Sequence, residues 1–151
     1  MVIRAAVPQE ADLLTELALR SKAVWGYSES FMARCRPLLT VTAQYIETMP
    51  TFVAVAEDVC GFYSLKARAG EVELDLLFVE PALIRRGVGA QLLTHAREQA
   101  RALGYARLII ESDPGAEPFY LRAGARRIGT IESSVEEGRL LPVLELALVQ
   151  R

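Results

Sequence analysis

The stretch Leu76-Leu77-Phe78-Val79-Glu80-Pro81-Ala82-Leu83-Ile84-Arg85-Arg86-Gly87-Val88-Gly89-Ala90-Gln91-Leu92-Leu93 constrains this chain more than any other. It reads as a β-strand, a basic glycine-containing turn and the start of an amphipathic helix. Glu71 to Val79 alternates, which predicts Val72, Leu74, Leu76 and Phe78 on one face and Glu73 and Asp75 on the other. Between Gly87 and Leu103, Val88, Leu92, Leu93, Ala96, Ala100 and Leu103 fall on one helical stripe, and Gly104 supplies the stop. The unpaired amides of a helix's first turn point outward at the positive end of its dipole and form an anion site. Gly87 and Gly89 bring no side chain that would hold a diphosphate away from those amides, and Arg85 and Arg86 add charged donors beside them. A Gly-x-Gly turn can also exist only to bend the chain. Two other phosphate loops do not fit. Gln91 and Leu92 follow Ala90 where a Walker loop needs Lys and Ser or Thr, and Leu92 occupies the third glycine position of the dinucleotide fingerprint.

The elements around this segment set the fold class. Residues 2–6 read as a strand, and Pro8 opens a helical stretch marked by Leu13, Leu14, Leu17 and Ala18. Ser28 is a candidate N-cap for a second helix through Phe31, Met32 and Cys35, which Pro37 is expected to break or kink. A further helix runs through Ala43, Ile46 and Met49. Strands follow at 51–56, 60–66 and 71–79, then the helix, a strand at 107–111, a short helix at 116–123, and strands near 126–133 and 140–149. Hairpins feeding a β-α-β unit imply an α/β fold: a mixed central sheet of about six to seven strands, flanked by helices on both faces.

At 151 residues, 52% of them hydrophobic and 24% charged, the expectation is one globular domain over 1–151. A net charge of −2 gives no case for a nucleic-acid partner. Cys35 and Cys60 lack disulfide or zinc spacing and read as buried free thiols, so no metal is expected. No secretory leader or bilayer-length apolar run is present in the sequence, so no membrane is expected and the cytoplasm is the default address. His95, the only histidine, lies off the apolar stripe of its helix and is expected to face solvent.

The turn resembles motif A of the GNAT N-acetyltransferase superfamily, Gln/Arg-x-x-Gly-x-Gly/Ala, with Gly87 and Gly89 at the glycine positions and Ile84 in place of Gln or Arg. The segment Asp113-Pro114-Gly115-Ala116-Glu117-Pro118-Phe119-Tyr120-Leu121-Arg122-Ala123-Gly124-Ala125 resembles motif B, Asn-x-x-Ala-x-x-Phe-Tyr-x-x-x-Gly-Phe. Ala116, Phe119, Tyr120 and Gly124 match; Asp113 replaces the Asn and Ala125 the aromatic. The two motifs cover about residues 72–125. The resemblance implies an acyl-CoA N-acyltransferase-like fold and acetyl-CoA as cosubstrate. It implies that the backbone of Phe78 and Val79 pairs with the pantetheine arm, and that Arg85, Arg86, Gly87, Val88, Gly89 and Ala90 hold the pyrophosphate. Asp113, Phe119 and Tyr120 complete the donor side, with Tyr120 the general acid toward the coenzyme A thiolate. A phenol of pKa ~10 can protonate a thiolate of pKa ~8.5, although a tyrosine here could also simply pack.

The acceptor is expected to be a primary amine of a small molecule or peptide. Such an amine, with pKa ~10.4, must lose a proton before it attacks. Glu73, Asp75 and Glu111 are the candidate bases, and Glu73 and Asp75 could equally be the solvated face of an alternating strand. Trp25, Tyr27 and Phe31 could build an acceptor pocket or serve as ordinary core contacts. A non-catalytic acyl-CoA-binding domain is the alternative to an enzyme, and an interaction module with a purely structural turn is a third reading. A homodimer pairing through a terminal strand is compatible with the element order.

Overall fold

The chain enters on a short edge strand, β1 (Val2–Ala5), and a 3₁₀ turn that Pro8 begins leads into α1 (Ala11–Ala23). The computed structural model describes residues 1–148; residues 149–151, including the end of the strand expected over 140–149, lie outside the described residues. Ser28 caps α2 (Glu29–Leu39) by accepting the Phe31 amide at 3.1 Å, and Thr42 does the same for α3 (Ala43–Thr48) through Tyr45. Pro37 does not end α2, contrary to expectation. It sits in the last turn, where its missing N–H removes a single ladder bond, and the helix runs on to Leu39.

Three strands then form a meander: β2 (Thr51–Val55), β3 (Val59–Arg68) and β4 (Glu71–Val79). Next come α4 (Val88–Ala102), β5 (Arg107–Glu111), α5 (Glu117–Arg122), β6 (Arg126–Glu132) and β7 (Leu140–Ala147). The seven strands lie in the order β1-β2-β3-β4-β5-β7-β6, and the β4–β5 pair is the parallel one. This is the mixed sheet that the order of elements implies. Among the described residues, no helix is long and apolar enough to cross a membrane.

Each face of the sheet has its own core. On one face, α4 and α5 cover Tyr63, Leu65, Val72, Leu74, Leu108, Ile110 and Leu144. On the other, α1, α2 and α3 cover Val53, Phe62 and Leu76. The assignment of β4 residues corrects the simple alternation. Ser64 pairs with Leu76 and Leu65 with Leu74, so Asp75 is an extra residue opposite no partner on β3. This bulge shifts the strand by one residue. Val72 and Leu74 face α4, whereas Leu76 and Phe78 face α1 and α2.

A second irregularity opens the sheet. β4 pairs with β5 only at Val72–Leu108 and Glu73–Ile109, although β4 continues to Val79. β5 turns instead to β7, with which it pairs through Glu111–Val143. The β5-side edge of Leu74 to Val79 therefore presents unpaired backbone groups, which need partners from outside the sheet.

The close approach of α4 to β3 depends on Gly61. A Cβ there would lie 2.9 Å from Leu92 Cδ1 and 2.9 Å from the Phe78 carbonyl oxygen. The leucine tip can shift, but the strand carbonyl cannot. Gly61→Ala is expected to destabilise the fold by ~1–3 kcal/mol through overpacking, read as a lower urea midpoint at unchanged m-value. An unchanged midpoint would mean that α4 stands further from the sheet.

Candidate active site

The turn between β4 and α4 holds two left-handed residues, Arg85 at φ 69° and Gly87 at φ 85°. Gly87 tolerates that conformation because it has no Cβ; Arg85 adopts it at a cost. Gly87 caps α4 without a side-chain bond, and the first helical bond at this end runs from the Gln91 amide to the Gly87 carbonyl. The amides of Val88, Gly89 and Ala90 are left without helical acceptors. Arg85 and Arg86 are exposed, and neither side chain has a hydrogen-bond or ion-pair partner among the described residues. Ile84, 40% exposed, adds no polar group to the turn. On the far side of the strand end, Arg20 grips Glu80 with bonds of 2.8 and 2.9 Å and ties α1 to this turn.

Gly89 also has a packing role that its motif position does not announce. A Cβ there would meet the Phe119 ring at 3.3 Å and Val79 Cγ2 at 3.7 Å. The glycine thus lets α5 pack against the start of α4. The Val88 side chain is buried in the core, so only its backbone is available to an anion.

Tyr120 lies on α5, edge-on to Phe119 with ring centroids 5.0 Å apart. Its side chain belongs to the core beneath α4 and it is 7% exposed, yet its hydroxyl has no hydrogen-bond partner among the described residues. Burial, and then the charge of Asp113, push the phenol pKa well up. It therefore stays protonated at every physiological pH.

The carboxylates gather on the opposite face. Glu73 is buried, and Arg68 Nη2 stands 2.8 Å from its Oε2 and 2.9 Å from Glu111 Oε2. The approach to Glu73 is close but lies off the direction that a hydrogen bond needs, so this buried oxygen has charge beside it and no donor aimed at it. Asp75, at the bulge, accepts the hydroxyl of Tyr45, which also contacts Ser64 Oγ at 2.7 Å. Tyr45 carries no motif signal. Only the period of the capped helix α3 could have pointed it inward.

Burial pushes the Glu73 carboxyl above the ordinary range, and Glu111 and Asp75 add to this while Arg68 opposes it. The sign of the consequence follows from linkage. The native state binds this proton more tightly than the unfolded chain, so stability is highest below the unfolded pKa and falls as pH rises through the folded one. Glu73→Gln is expected to raise Tm most near neutral pH and to give little gain in acid. If Glu73 is the base, the same substitution removes the acidic limb of the pH–rate profile, while Glu111→Gln moves that limb to lower pH. A limb that survives Glu73→Gln unchanged would place the base elsewhere.

The aromatic trio of the α1–α2 loop is split. Trp25 is half exposed and lies over Gly115, where a Cβ would come within 2.9 Å of its ring. Tyr27 and Phe31 lie with ring centroids 4.3 Å apart and planes tilted by 31°, and Tyr27, Lys22 and Arg139 surround Asp113. The Asp113 carboxylate accepts Lys22 at 2.9 Å, Tyr27 at 2.7 Å and the Gly115 amide at 2.8 Å. It is therefore occupied by protein donors and positions the loop before α5. Burial pushes its pKa up, but the bonds from Tyr27 and Lys22 outweigh this and hold it below the ordinary range. Burial, then the bond to Asp113, takes the Tyr27 phenol up to about 12. Lys22 and Arg139 went unmarked in the sequence, since they lie 117 positions apart and meet only in the fold.

His95 is only partly exposed, although its helical position predicts a solvent-facing side chain. Its Nδ1 lies 2.6 Å from Tyr63 Oη and its ring 4.8 Å from Phe52, because these two long side chains reach past the apolar stripe. Cys35 and Cys60 are buried and unbridged. Among the described residues, no group of histidine, cysteine or carboxylate side chains could hold a metal ion.

Residues 15–140 match the family model described as an acetyltransferase (GNAT) domain. No curated protein matches the sequence. Among solved structures, a GCN5-related N-acetyltransferase from Rhodopseudomonas palustris superposes with a TM-score of 0.82 at 21% identity, covering 97% of this chain and 94% of that one. The PaiA N-acetyltransferase of Thermoplasma acidophilum, solved with coenzyme A, gives 0.75 at 18% identity over 97% and 98% of the two chains. An aminoglycoside 6'-N-acetyltransferase from Enterococcus faecium gives 0.72 at 17%, over 100% and 99%. At such identities the structures speak for the fold alone.

Proposed function

The chain belongs to the GNAT acetyltransferase family, and from that premise we propose that it transfers the acetyl group of acetyl-CoA to a primary amine of a small molecule or peptide by direct attack. One observation carries this reading. The split between β4 and β5 leaves the edge of β4 unpaired beside the uncapped amides that open α4, and α5, packed on that helix start through Phe119, carries the Tyr120 phenol, which has no hydrogen-bond partner among the described residues.

These residues fit the cosubstrate. The Val88, Gly89 and Ala90 amides, flanked by Arg85 and Arg86, suit the pyrophosphate, and the backbone of Phe78 and Val79 suits the amide-bearing pantetheine arm. Acetyl-CoA supplies the thioester, whose C–S bond breaks as the amine nitrogen forms its bond to the acetyl carbon. Tyr120 gives its proton to the departing sulfur. On the opposite face, Glu73 takes the proton from the amine nitrogen, with Arg68 and Glu111 adjusting its affinity for that proton. Asp113 orients the loop that leads into α5, the helix of Tyr120, through Lys22, Tyr27 and the Gly115 amide.

Free-thiol release from acetyl-CoA across a panel of primary amines tests the proposal. Release should accelerate with at least one amine and stay near the background without one. Coenzyme A binding with no amine-dependent release would instead favour a non-catalytic acyl-CoA-binding domain, a reading that Ile84 and the occupied carboxylate of Asp113 support.

A further inference from the structure

On the α1–α2 side of the split, three cations converge on one pair of rings. Lys22 Nζ lies 5.3 Å from the Tyr27 centroid, the Arg139 guanidinium 5.2 Å from Tyr27 and 4.9 Å from Phe31, and the Arg34 guanidinium 5.7 Å from Phe31. Among the described residues their one acidic partner is Asp113. Its Oδ2 already accepts Lys22 and Tyr27 and stands 3.6 Å from Arg139, and its Oδ1 accepts the Gly115 amide. Lys22 and Arg139 thus bring two positive charges to one saturated carboxylate, and Arg34, exposed and bonded to the Val135 carbonyl at 2.9 Å, adds a third beside the Phe31 ring.

Burial makes this imbalance meaningful. The Lys22 and Arg139 side chains keep 14% and 16% of their exposure, so water screens them only in part. Charge held in excess at such a place is costly unless an anion meets it. Arg139 gives an Nη2 proton to Tyr27 Oη at 2.7 Å, and its Nε and Nη1 have no side-chain partner among the described residues. A guanidinium with free N–H groups lying over aromatic rings suits a planar carboxylate. The cluster also neighbours the chemistry: Asp113 and Tyr120 share the segment between β5 and the end of α5, and the Asp113 charge reaches the Tyr120 phenol.

Resting on the transferase reading, we propose that the acceptor is an amine that also bears a carboxylate, gripped by Arg139 and Lys22 beside the Tyr27–Phe31 rings. Excess cationic charge selects the carboxylate, and the rings select an apolar or aromatic body next to it.

Trp25 is the only tryptophan and packs against Gly115, next to Asp113, so its fluorescence reports on this cluster without any need for turnover. Titration with 3-phenylpropionate should give a saturable change, about tenfold or more tighter than with the neutral 3-phenylpropanamide, since charge-assisted bonds separate the two. Arg139→Gln should erase most of that difference, and Arg34→Gln, at an exposed side chain whose one hydrogen bond runs to the Val135 carbonyl, should reduce it with little change in Tm. Equal binding of acid and amide to the unaltered protein would overturn the inference. In turnover, the kcat/KM for phenylalanine should exceed that for phenethylamine by about tenfold or more. Equal rates would overturn the inference and leave the transferase reading standing. Selective binding of the acid with no amine of the panel acetylated would uphold the anion site and remove the transferase reading.

Discussion

Tyr120→Phe is expected to lower the turnover rate by ~10²–10⁴-fold, the usual worth of a positioned acid, while acetyl-CoA affinity stays within about twofold. The substitution keeps the ring that packs edge-on to Phe119 and removes only a hydroxyl that has no hydrogen bond to lose among the described residues. Stability should therefore hold or rise slightly, since one unpaired polar group leaves the core. That separation matters, because a tyrosine whose function was packing would show no kinetic effect. The rate must be taken with the best amine in the panel, as a reactive acceptor can expel the thiolate with less help. A variant within about twofold of the unaltered enzyme would return Tyr120 to a packing role.

The second large effect concerns the donor loop. Replacing both Arg85 and Arg86 by glutamine should weaken coenzyme A binding by ~10²-fold or more, at ~1.5–3 kcal/mol for each charge-assisted contact. Calorimetry measures it directly. Both side chains are exposed and free of partners among the described residues, so the fold has nothing to lose and Tm should hardly move. The glycines offer a poorer test. A side chain at Gly89 would strike Phe119, and one at Gly87 would strain a left-handed backbone, so lost binding there would confound the site with its scaffold. The unaltered protein should also bind less tightly as salt rises, and the double variant should respond less steeply. Unchanged affinity in the double variant would mean that these arginines do not face the pyrophosphate.

Much of this was legible in the residue order. The period of two through Glu71 to Val79, the period of 3.6 from Val88 to Ala100 and the glycine stop at 104 place β4, α4 and their turn nearly to the residue. The same local signals fail where a long-range contact decides. Asp75 looks like one more outward residue of an alternating strand, and only its pairing with β3 reveals the bulge that turns Leu76 and Phe78 to the other face. Pro37 reads as a helix breaker, yet its place in the last turn of α2 spares all but one ladder bond. His95 sits off its stripe, but a helix stripe says nothing of how far Phe52 and Tyr63 reach. Gly89 was legible as a motif glycine and illegible as the seat of Phe119.

The site shows the same division. Tyr120 was marked by the resemblance to motif B and the Arg85–Ala90 turn by its glycines and arginines, because neighbours in sequence build both. The grouping of Arg68 with Glu73 and Glu111, of Tyr45 with Asp75, and of Lys22 and Arg139 with Asp113 joins side chains from separate elements. Their meeting depends on how β4 diverges from β5 and where the β6–β7 connection returns, which no local pattern encodes.

The central claim is that an acetyl group leaves acetyl-CoA for an amine nitrogen in the split between β4 and β5. The mass spectrum of the acceptor recovered after incubation with the protein and acetyl-CoA tests it most directly. The account predicts an amine heavier by one acetyl group and a protein of unchanged mass, with or without the amine. An unmodified amine from a protein that still binds coenzyme A would contradict the account, and an acetyl group found on the protein would replace direct attack with a two-step transfer.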